Sequence, residues 1–242
     1  MITEIETRFF GTVVSTNEEA RKLVGQIAHP VMCLGSEQTG GIGRRGRQWA
    51  SPKGNLYASL LMPCHDSPQQ KALRSFTAAL ALSDTLLEFK PDCPVSLKWP
   101  NDVLVGNQKV AGILLEALPK YLIIGIGVNV AVAPPATLVE TRALPPAALN
   151  ALGFHVTVPD LAKRLTKHFC ERENSFIEFG FAPLREAWLS RAAHLGEKIV
   201  ARFARSEISG VFDTVDSAGA LVLKTSTGPQ HITAADIFFE DG

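Results

Sequence analysis

Apolar residues recur along the chain with two different periods, and each period predicts a type of element. A helix is predicted to begin at Thr16, because Thr16 and Glu19 have the spacing of a capping box and apolar residues follow at helical intervals. The same helical period predicts three more helices, over residues 73–89, from Asp160 onward and over residues 182–192.

Shorter apolar runs predict β-strands. A hairpin is expected over residues 95–116, with Val103 and Val105 facing inward and a turn at Gly106 and Asn107. Three further buried strands are expected over residues 31–34, 56–62 and 122–130.

The pattern changes after Gly196, where short alternating runs are separated by turn residues. This pattern predicts a small all-β barrel of roughly fifty residues, a size that some small domains can hold unaided. Two domains are therefore expected, residues 1–193 and residues 194–242.

Composition and charge narrow the classes of function. Lysine and arginine (24) balance aspartate and glutamate (24), so no general attraction to nucleic acid or acidic membranes is expected. The four cysteines lie far apart, without CxxC spacing, which indicates reduced thiols in a cytoplasmic protein. The start of the chain has no signal-peptide pattern, and no apolar run is long enough to span a bilayer.

Residues 40–52 are rich in glycine and arginine and have no period, which predicts a loop. Arg44, Arg45 and Arg47 among the glycines suit a bound anion, because glycine lets the backbone approach a phosphate and arginine supplies permanently charged, forked donors. A flexible solvated loop explains the same pattern equally well. The segment also fits GxGxxG, but Pro52 would interrupt the helix that a dinucleotide fingerprint must open.

Three charged residues stand within otherwise apolar strands: Lys98, Asp102 and Lys109. Buried charge is costly unless it is paired or used, so these residues are candidates for chemistry, although exposed edge positions would also explain them. Gly125 and Gly127 inside a predicted strand indicate close approach, either by a ligand or by a neighbouring strand.

Taken alone, residues 15–17 (Ser-Thr-Asn) are explained by helix capping. Together and in this order, however, five segments resemble the motifs of the biotin protein ligase family: residues 15–17, 38–49, 98–102, 109–116 and 125–129. The tail from about Gly196 resembles the SH3-like C-terminal domain of that family. The resemblance therefore covers nearly the whole chain.

The resemblance implies an α+β fold, with a mixed β-sheet flanked by helices on one side, as in class II synthetase-like biotin and lipoate ligases, followed by the small barrel. It also implies two half-reactions. The carboxylate of biotin attacks the α-phosphate of ATP with the help of Mg²⁺, and a lysine of a biotin carrier protein then attacks the resulting biotinyl-5'-AMP. The expected carrier is the biotin carboxyl carrier protein of acetyl-CoA carboxylase.

Roles for single residues follow from the same resemblance. Lys109 is expected to bridge the biotin carboxylate and the α-phosphate, Arg44 to act on the phosphates, and Asp102 to orient or deprotonate the incoming amine or to hold metal. The expected biotin-binding residues are Ser15, Thr16, Asn17, Gln38, Ile42, Gly43, Arg44, Lys109, Gly112 and Gly125. The expected ATP-binding residues are Arg45, Arg47, Trp49, Asn101 and Asn129. No definite metal ligand is assigned.

The sequence departs from the family pattern in two places. Ile42 stands where the family usually has arginine, and this change weakens the hold on biotinyl-5'-AMP if the missing guanidinium orders the loop. Residues 131–150 contain no aromatic residue to cover the adenine, so that contact is unassigned, with Arg142 or an aliphatic side chain as substitutes.

Two other functions stay open at this point: a lipoate-type protein ligase, which shares the fold and the AMP chemistry, and a non-catalytic sensor of biotin or nucleotide. Long members of the family carry a DNA-binding helix-turn-helix, for which the residues before Ser15 are too few. Specific DNA binding is therefore not expected. A monomer and a homodimer are both compatible with the sequence.

Overall fold

The computed structural model describes residues 1–135, 140 and 142–239, which form a seven-stranded sheet, a five-stranded sheet and five α-helices. The strands are β1 (Glu6–Val13), β2 (Val31–Gln38), β3 (Leu56–Pro63), β4 (Val95–Lys98), β5 (Asp102–Val105), β6 (Gln108–Ala117), β7 (Tyr121–Val128), β8 (Lys198–Arg202), β9 (Glu207–Val215), β10 (Leu221–Thr225), β11 (Gly228–Ile232) and β12 (Asp236–Phe239). The helices are α1 (Thr16–Lys22), α2 (Pro68–Ala72), α3 (Arg74–Phe89), α4 (Val158–Phe179) and α5 (Phe181–Leu189). None of these helices has both the length and the apolar character that a bilayer crossing requires.

The larger sheet is mixed, with the strand order β1-β2-β3-β7-β6-β5-β4. β1 runs parallel to β2, and every other neighbouring pair is antiparallel. β3 lies inside the sheet, between β2 and β7, and is buried on both faces, which explains why its sequence is a continuous apolar run. β1 lies at the edge, is mostly exposed, and was not predicted from the sequence.

Helices cover both faces of this sheet, so the expectation of helices on one side is wrong. α3 and α4 pack on one face, where Leu60, Leu80 and Leu165 belong to the same buried cluster. The short α1 packs on the other face, where Ala20 joins a separate cluster with Cys33. Because α1 is only two turns long, it leaves room on its face for the cavity described below.

Two helix caps differ from the sequence prediction. Ser15, rather than the Thr16 and Glu19 box, caps α1, and its hydroxyl accepts from the backbone N–H of Asn17 (3.2 Å). The Thr16 hydroxyl is used elsewhere, as described below. Thr157 caps α4 by accepting from the backbone N–H of Asp160 (3.3 Å), so Asp160 lies in the first turn and is not the cap.

The predicted hairpin is confirmed as β5 and β6. Gly106 (φ 55°) and Asn107 (φ 61°) form its turn, which needs two residues in the left-handed region. Val103 and Val105 are buried as expected. A further strand, β4, pairs with β5, so residues 95–116 contribute three strands to the sheet.

The remaining strands form what we call the C-terminal sheet, β8 to β12, which is antiparallel in the order β11-β10-β9-β8-β12. β12 was not predicted from the sequence, and residues 240–242 lie outside the described residues. The cores of the two sheets are continuous, since the ring centroid of Trp188 lies 5.2 Å from that of Phe76 and 6.5 Å from that of Phe212. A domain boundary between residues 193 and 194 stays a prediction.

Candidate active site

A cavity of about 600 Å³ lies between the large sheet, α1, the arginine-rich loop and the C-terminal sheet. Residues to which the sequence assigned a role in catalysis, biotin binding or ATP binding line this one cavity: Ser15, Thr16, Asn17, Gln38, Ile42, Gly43, Arg44, Arg47, Trp49, Asn101, Asp102, Lys109, Gly112, Gly125 and Asn129. Arg45 is the one assigned residue that does not line it. The fold therefore brings these residues together, while their individual roles stay predictions.

The end of the cavity beside α1 is polar and internally hydrogen-bonded. Gln38 Oε1 accepts from the backbone N–H of Thr16 (2.9 Å) and from its hydroxyl (3.1 Å), and Gln38 Nε2 donates to Ser51 Oγ (2.9 Å). Ser59 Oγ donates to Thr16 Oγ1 (2.7 Å). Polar groups held in place in this way can orient a small ligand that has amide-like donors and acceptors.

Glycines in β6 and β7 make room for two large side chains. A Cβ atom at Gly125 would lie 2.6 Å from Asn17 Oδ1, and one at Gly127 would lie 2.6 Å from Trp49 Nε1. A Cβ at Gly112 would lie 3.1 Å from Trp49 Cζ3. The close approach expected at Gly125 and Gly127 is thus made by the side chains of Asn17 and Trp49, and not by a neighbouring strand.

Trp49 presents a free donor within the cavity wall. Its Nε1–H is buried and has no hydrogen-bond partner among the described residues. A buried N–H without a partner is costly, so this donor is suited to a ligand acceptor.

Lys109 and Asp102 face each other from the adjacent strands β6 and β5. Lys109 Nζ lies 2.7 Å from Asp102 Oδ1, and the geometry is that of an ion pair without an aligned hydrogen bond. Lys109 Nζ also lies 5.5 Å from the ring centroid of Trp49. The Lys109 side chain is 29% exposed, so its charge can still reach a ligand in the cavity.

Arg44 extends from the arginine-rich loop toward residues 98–102. Its Nη1 donates to Asn101 Oδ1 (3.4 Å) and its Nη2 donates to the carbonyl of Ala235 (3.2 Å). Burial lowers the pKa of the Arg44 guanidinium, and the carboxylates of Asp236 and Asp102 oppose that effect. An arginine side chain stays protonated in proteins, so Arg44 brings positive charge to the cavity. Lys109 adds a second cationic side chain to the same cavity.

Asp236, the first residue of β12, pairs with the other two arginines of the loop. Arg45 Nη1 donates to Asp236 Oδ2 (2.7 Å), and Arg47 Nη2 donates to the same oxygen. Burial acts to raise the pKa of Asp236, but the hydrogen bond and charge of Arg47, with the charges of the other loop arginines, hold that pKa below its usual value. Arg47 also lies 3.4 Å from Glu140 Oε2.

Sequence reasoning missed several residues of the cavity, above all those contributed by the C-terminal sheet: Asp236, Ile237 and Phe238. The available signal was an acidic residue inside the apolar run of residues 234–239. Lys98 was noticed as an embedded charge but received no role. It lines the cavity with its Nζ 5.1 Å from the ring centroid of Phe239, and burial lowers its pKa while Asp102 opposes that effect.

The two departures from the family pattern involve Ile42 and residues 131–150. Ile42 is half exposed and bridges to Gln48 within the loop. Arg142 does not line the cavity; it lies over the ring of Phe238 (5.0 Å) and pairs with Glu207 (3.2 Å). Part of the segment expected to cover the adenine, residues 136–139 and 141, lies outside the described residues.

Known proteins match the chain in sequence over nearly its whole length. Residues 10–129 match the Biotin/lipoate A/B protein ligase family, and residues 194–240 match the Biotin protein ligase C terminal domain. The chain is 42% identical over 232 residues to the Biotin--[acetyl-CoA-carboxylase] ligase of Paracoccus denitrificans, a match that covers 93% of this chain and 97% of the relative. It is 30% identical over 231 residues to the Bifunctional ligase/repressor BirA of Bacillus subtilis, covering 92% and 70% of the two chains.

The structure matches as well. Biotin protein ligase from Aquifex aeolicus in complex with biotin and ATP superposes with a TM-score of 0.85 at 26% sequence identity, covering 97% of this chain and 99% of the other. The predicted α+β class, with a mixed sheet and a second antiparallel sheet at the C-terminal end, is confirmed. The identity to the Paracoccus enzyme, the matched C-terminal region and the structural likeness agree with the order of the motifs, and the chain belongs to the biotin protein ligase family.

Proposed function

We propose that this protein joins biotin to AMP with ATP and then transfers the biotinyl group to a lysine of a carrier protein. The observation that carries the proposal is the shared cavity, in which Lys109 and Arg44 bring positive charge and Thr16 and Gln38 supply fixed polar groups. Its volume of about 600 Å³ is in the range of small-molecule sites. The names of the relatives support the choice of biotin and ATP as substrates.

Biotin would lie with its ureido ring at the polar end of the cavity. That ring is a cyclic urea and needs both donors and acceptors in an otherwise apolar pocket. Ser15, Thr16, Asn17 and Gln38 offer such groups beside α1. Since Thr16 and Gln38 already bond each other, they are held in place before biotin arrives.

In the first half-reaction, a carboxylate oxygen of biotin bonds to the α-phosphorus of ATP, and the bond to the bridging oxygen of pyrophosphate breaks. Both reactants are anions, so their repulsion must be offset by fixed positive charge. Lys109 would bridge the carboxylate and the α-phosphate while Arg44 neutralises the phosphate oxygens. A single well-placed donor of this kind lowers the barrier by ~3 kcal/mol.

Asp102 would serve the second half-reaction. The lysine amine of the carrier attacks the carbonyl carbon of biotinyl-5'-AMP, and AMP leaves. A lysine amine with a pKa of about 10.4 is mostly protonated at neutral pH, so it needs a base. Asp102, paired with Lys109 in the cavity wall, would accept the proton or orient the amine.

Mg²⁺ would enter the cavity with ATP and neutralise the charge of the leaving pyrophosphate. The described residues contain no cluster of three or more side chains able to hold a metal. That arrangement fits an ion held mainly by phosphates and water, because Mg²⁺ commonly uses only one or two protein carboxylates. Asp102, which pairs with Lys109, would be the carboxylate that contacts the ion.

The acceptor that we propose is the biotin carboxyl carrier protein of acetyl-CoA carboxylase, which is supported by the name of the Paracoccus relative. A lipoate ligase is less well supported, because the C-terminal sheet matches a domain named for biotin protein ligases. Binding of operator DNA is not part of the proposal.

The proposal is tested by mixing the protein with a carrier domain, ATP, Mg²⁺ and biotin, and measuring the mass of the carrier. One biotinyl group should be added to one lysine, and lipoate should not replace biotin. Lys109→Gln should lower pyrophosphate release by about 10²–10³-fold, because it removes one charged donor to the transition state. Lys224→Gln, at an exposed lysine of the C-terminal sheet, is the matched control and should leave the rate unchanged. Transfer without ATP, or equal use of lipoate, would contradict the proposal.

A further inference from the structure

We infer that Asp236 holds the arginine-rich loop closed over the cavity, and that Arg45 and Arg47 act as its latch to the C-terminal sheet and not as phosphate ligands. The inference rests on the proposed function, because the species retained by the latch is biotinyl-5'-AMP. It departs from the expectation that all three loop arginines contact ATP.

The three arginines of the loop make different contacts, and these contacts support different roles. Arg45 and Arg47 both donate to Asp236 Oδ2, whereas the closest nitrogen of Arg44 lies 4.0 Å from Asp236 Oδ1. Arg44 instead bonds Asn101, and it lines the cavity together with Arg47. Arg45 does not line the cavity at all. Only Arg44 is therefore free to turn toward a phosphate without breaking a charged hydrogen bond.

The backbone of the loop is also arranged for this contact. Arg45 has φ 56° and ψ 28°, in the left-handed region that costs a non-glycine residue about 1–2 kcal/mol. That cost persists only where other interactions fix the conformation. Arg45 adopts this conformation while its Nη1 donates to Asp236, a bond that spans 191 residues of sequence.

The positive side chains around Asp236 strengthen its bonds to Arg45 and Arg47. Its carboxylate is 9% exposed and faces the three loop arginines as well as Arg202, whose Nη2 lies 3.7 Å away. A charge-assisted bond to a largely buried carboxylate is stronger than an exposed ion pair. Glu140 supplies a second carboxylate to Arg47 and Arg202. The two carboxylates therefore offset part of the positive charge of these arginines before any phosphate binds.

Holding the loop closed has one chemical consequence. Biotinyl-5'-AMP is a reactive mixed anhydride, and it is useful only if it stays bound until the carrier lysine arrives. A latch of two arginine–carboxylate bonds slows the opening of the loop, and so it slows escape of the intermediate. It need not change the rate at which the intermediate forms.

The test measures how fast biotinyl-5'-AMP, formed in place from biotin and ATP, leaves the full-length protein after mixing with a trap. Asp236→Asn should speed release roughly tenfold, which corresponds to about 1.4 kcal/mol. Arg45→Gln should speed release by a smaller factor in the natural protein and by no further factor in the Asp236→Asn background. Asp236→Glu should restore slow release.

Asp213→Asn is the matched control, because it removes a partly exposed carboxylate that pairs with Lys224 in the same sheet, and it should leave release unchanged. If Asp236→Asn does not fold, Arg45→Gln alone still tests the latch, since that side chain is 42% exposed. The KM for ATP separates the two assignments. If Arg45→Gln raises that KM equally with and without Asp236, Arg45 is a phosphate ligand and the inference is overturned.

Failure of the latch and failure of the proposed function give different results. If the natural protein forms no biotinyl-5'-AMP, the proposed function fails. If the natural protein forms it but Asp236→Asn and Arg45→Gln both release it at the natural rate, only the latch is wrong.

Discussion

At the scale of single residues, the shape of the cavity depends on glycines that leave room for larger side chains, most clearly at Gly127 beside Trp49. A methyl group at Gly127 would lie 2.6 Å from Trp49 Nε1, so the indole would have to move. We therefore expect Gly127→Ala to lower the free energy of unfolding by about 1–3 kcal/mol, the usual cost of overpacking, and to raise the KM for ATP. Gly11→Ala is the control, because nothing lies within 4 Å of its Cβ position. Chemical denaturation and pyrophosphate release measure both effects, and equal behaviour of the two variants would contradict this account of Gly127.

At the scale of secondary-structure elements, the turn between β5 and β6 allows a prediction about stability. Asn107 lies at φ 61°, which glycine and asparagine tolerate and a β-branched residue does not. Asn107→Val should lower the free energy of unfolding by about 1–2 kcal/mol, whereas Asn107→Gly should leave it nearly unchanged. Urea denaturation checks both variants. A similar loss in the two would mean that the Asn107 side chain, and not its backbone conformation, stabilises the turn.

The same hairpin shows how much of each element could be predicted from the sequence. Its turn residues and alternation are local signals that predict the two strands, but the register shift between Val103 and Leu104 was not predicted. β1 was missed because it is an exposed edge strand without a buried face, and only its distant partner β2 makes it a strand. The caps were displaced because Thr16, a plausible cap, bonds Gln38 instead, a contact that no local pattern reveals.

The whole molecule behaves as one packed body, in which the two sheets share a core and a cavity. Family motifs predicted many of the residues that line the cavity, but not Asp236, because its bonds to the arginine-rich loop span about 190 residues of sequence. Arg185 adds to the junction, since its Nη2 donates to Thr214 Oγ1 (2.8 Å) and its Nε to the carbonyl of Val215.

A junction of this kind predicts a single unfolding transition. Circular dichroism reports both sheets, while the thiols report the larger one alone, because all four cysteines precede residue 194 and are buried. Burial raises the pKa of Cys33 to about 11, so it should react with an alkylating reagent only when the sheet opens. The two probes should give one midpoint in urea. Arg185→Ala should lower the free energy of unfolding by about 1–3 kcal/mol, and the midpoints from the two probes should shift together. Arg164→Ala, at an exposed ion pair, is the control. Separate midpoints would show that the sheets unfold independently.

The position of Asp236 in β12, after all the other described strands, has a consequence for the order in which the protein becomes competent. A ribosome makes Lys109 and the arginine-rich loop long before it makes β12, so the nascent chain acquires its reactive groups well before the wall that confines them. A chain that ended before Asp236 would lack the carboxylate that accepts from Arg45 and Arg47. The contact between the arginine-rich loop and the C-terminal sheet can therefore form only after β12 has been made.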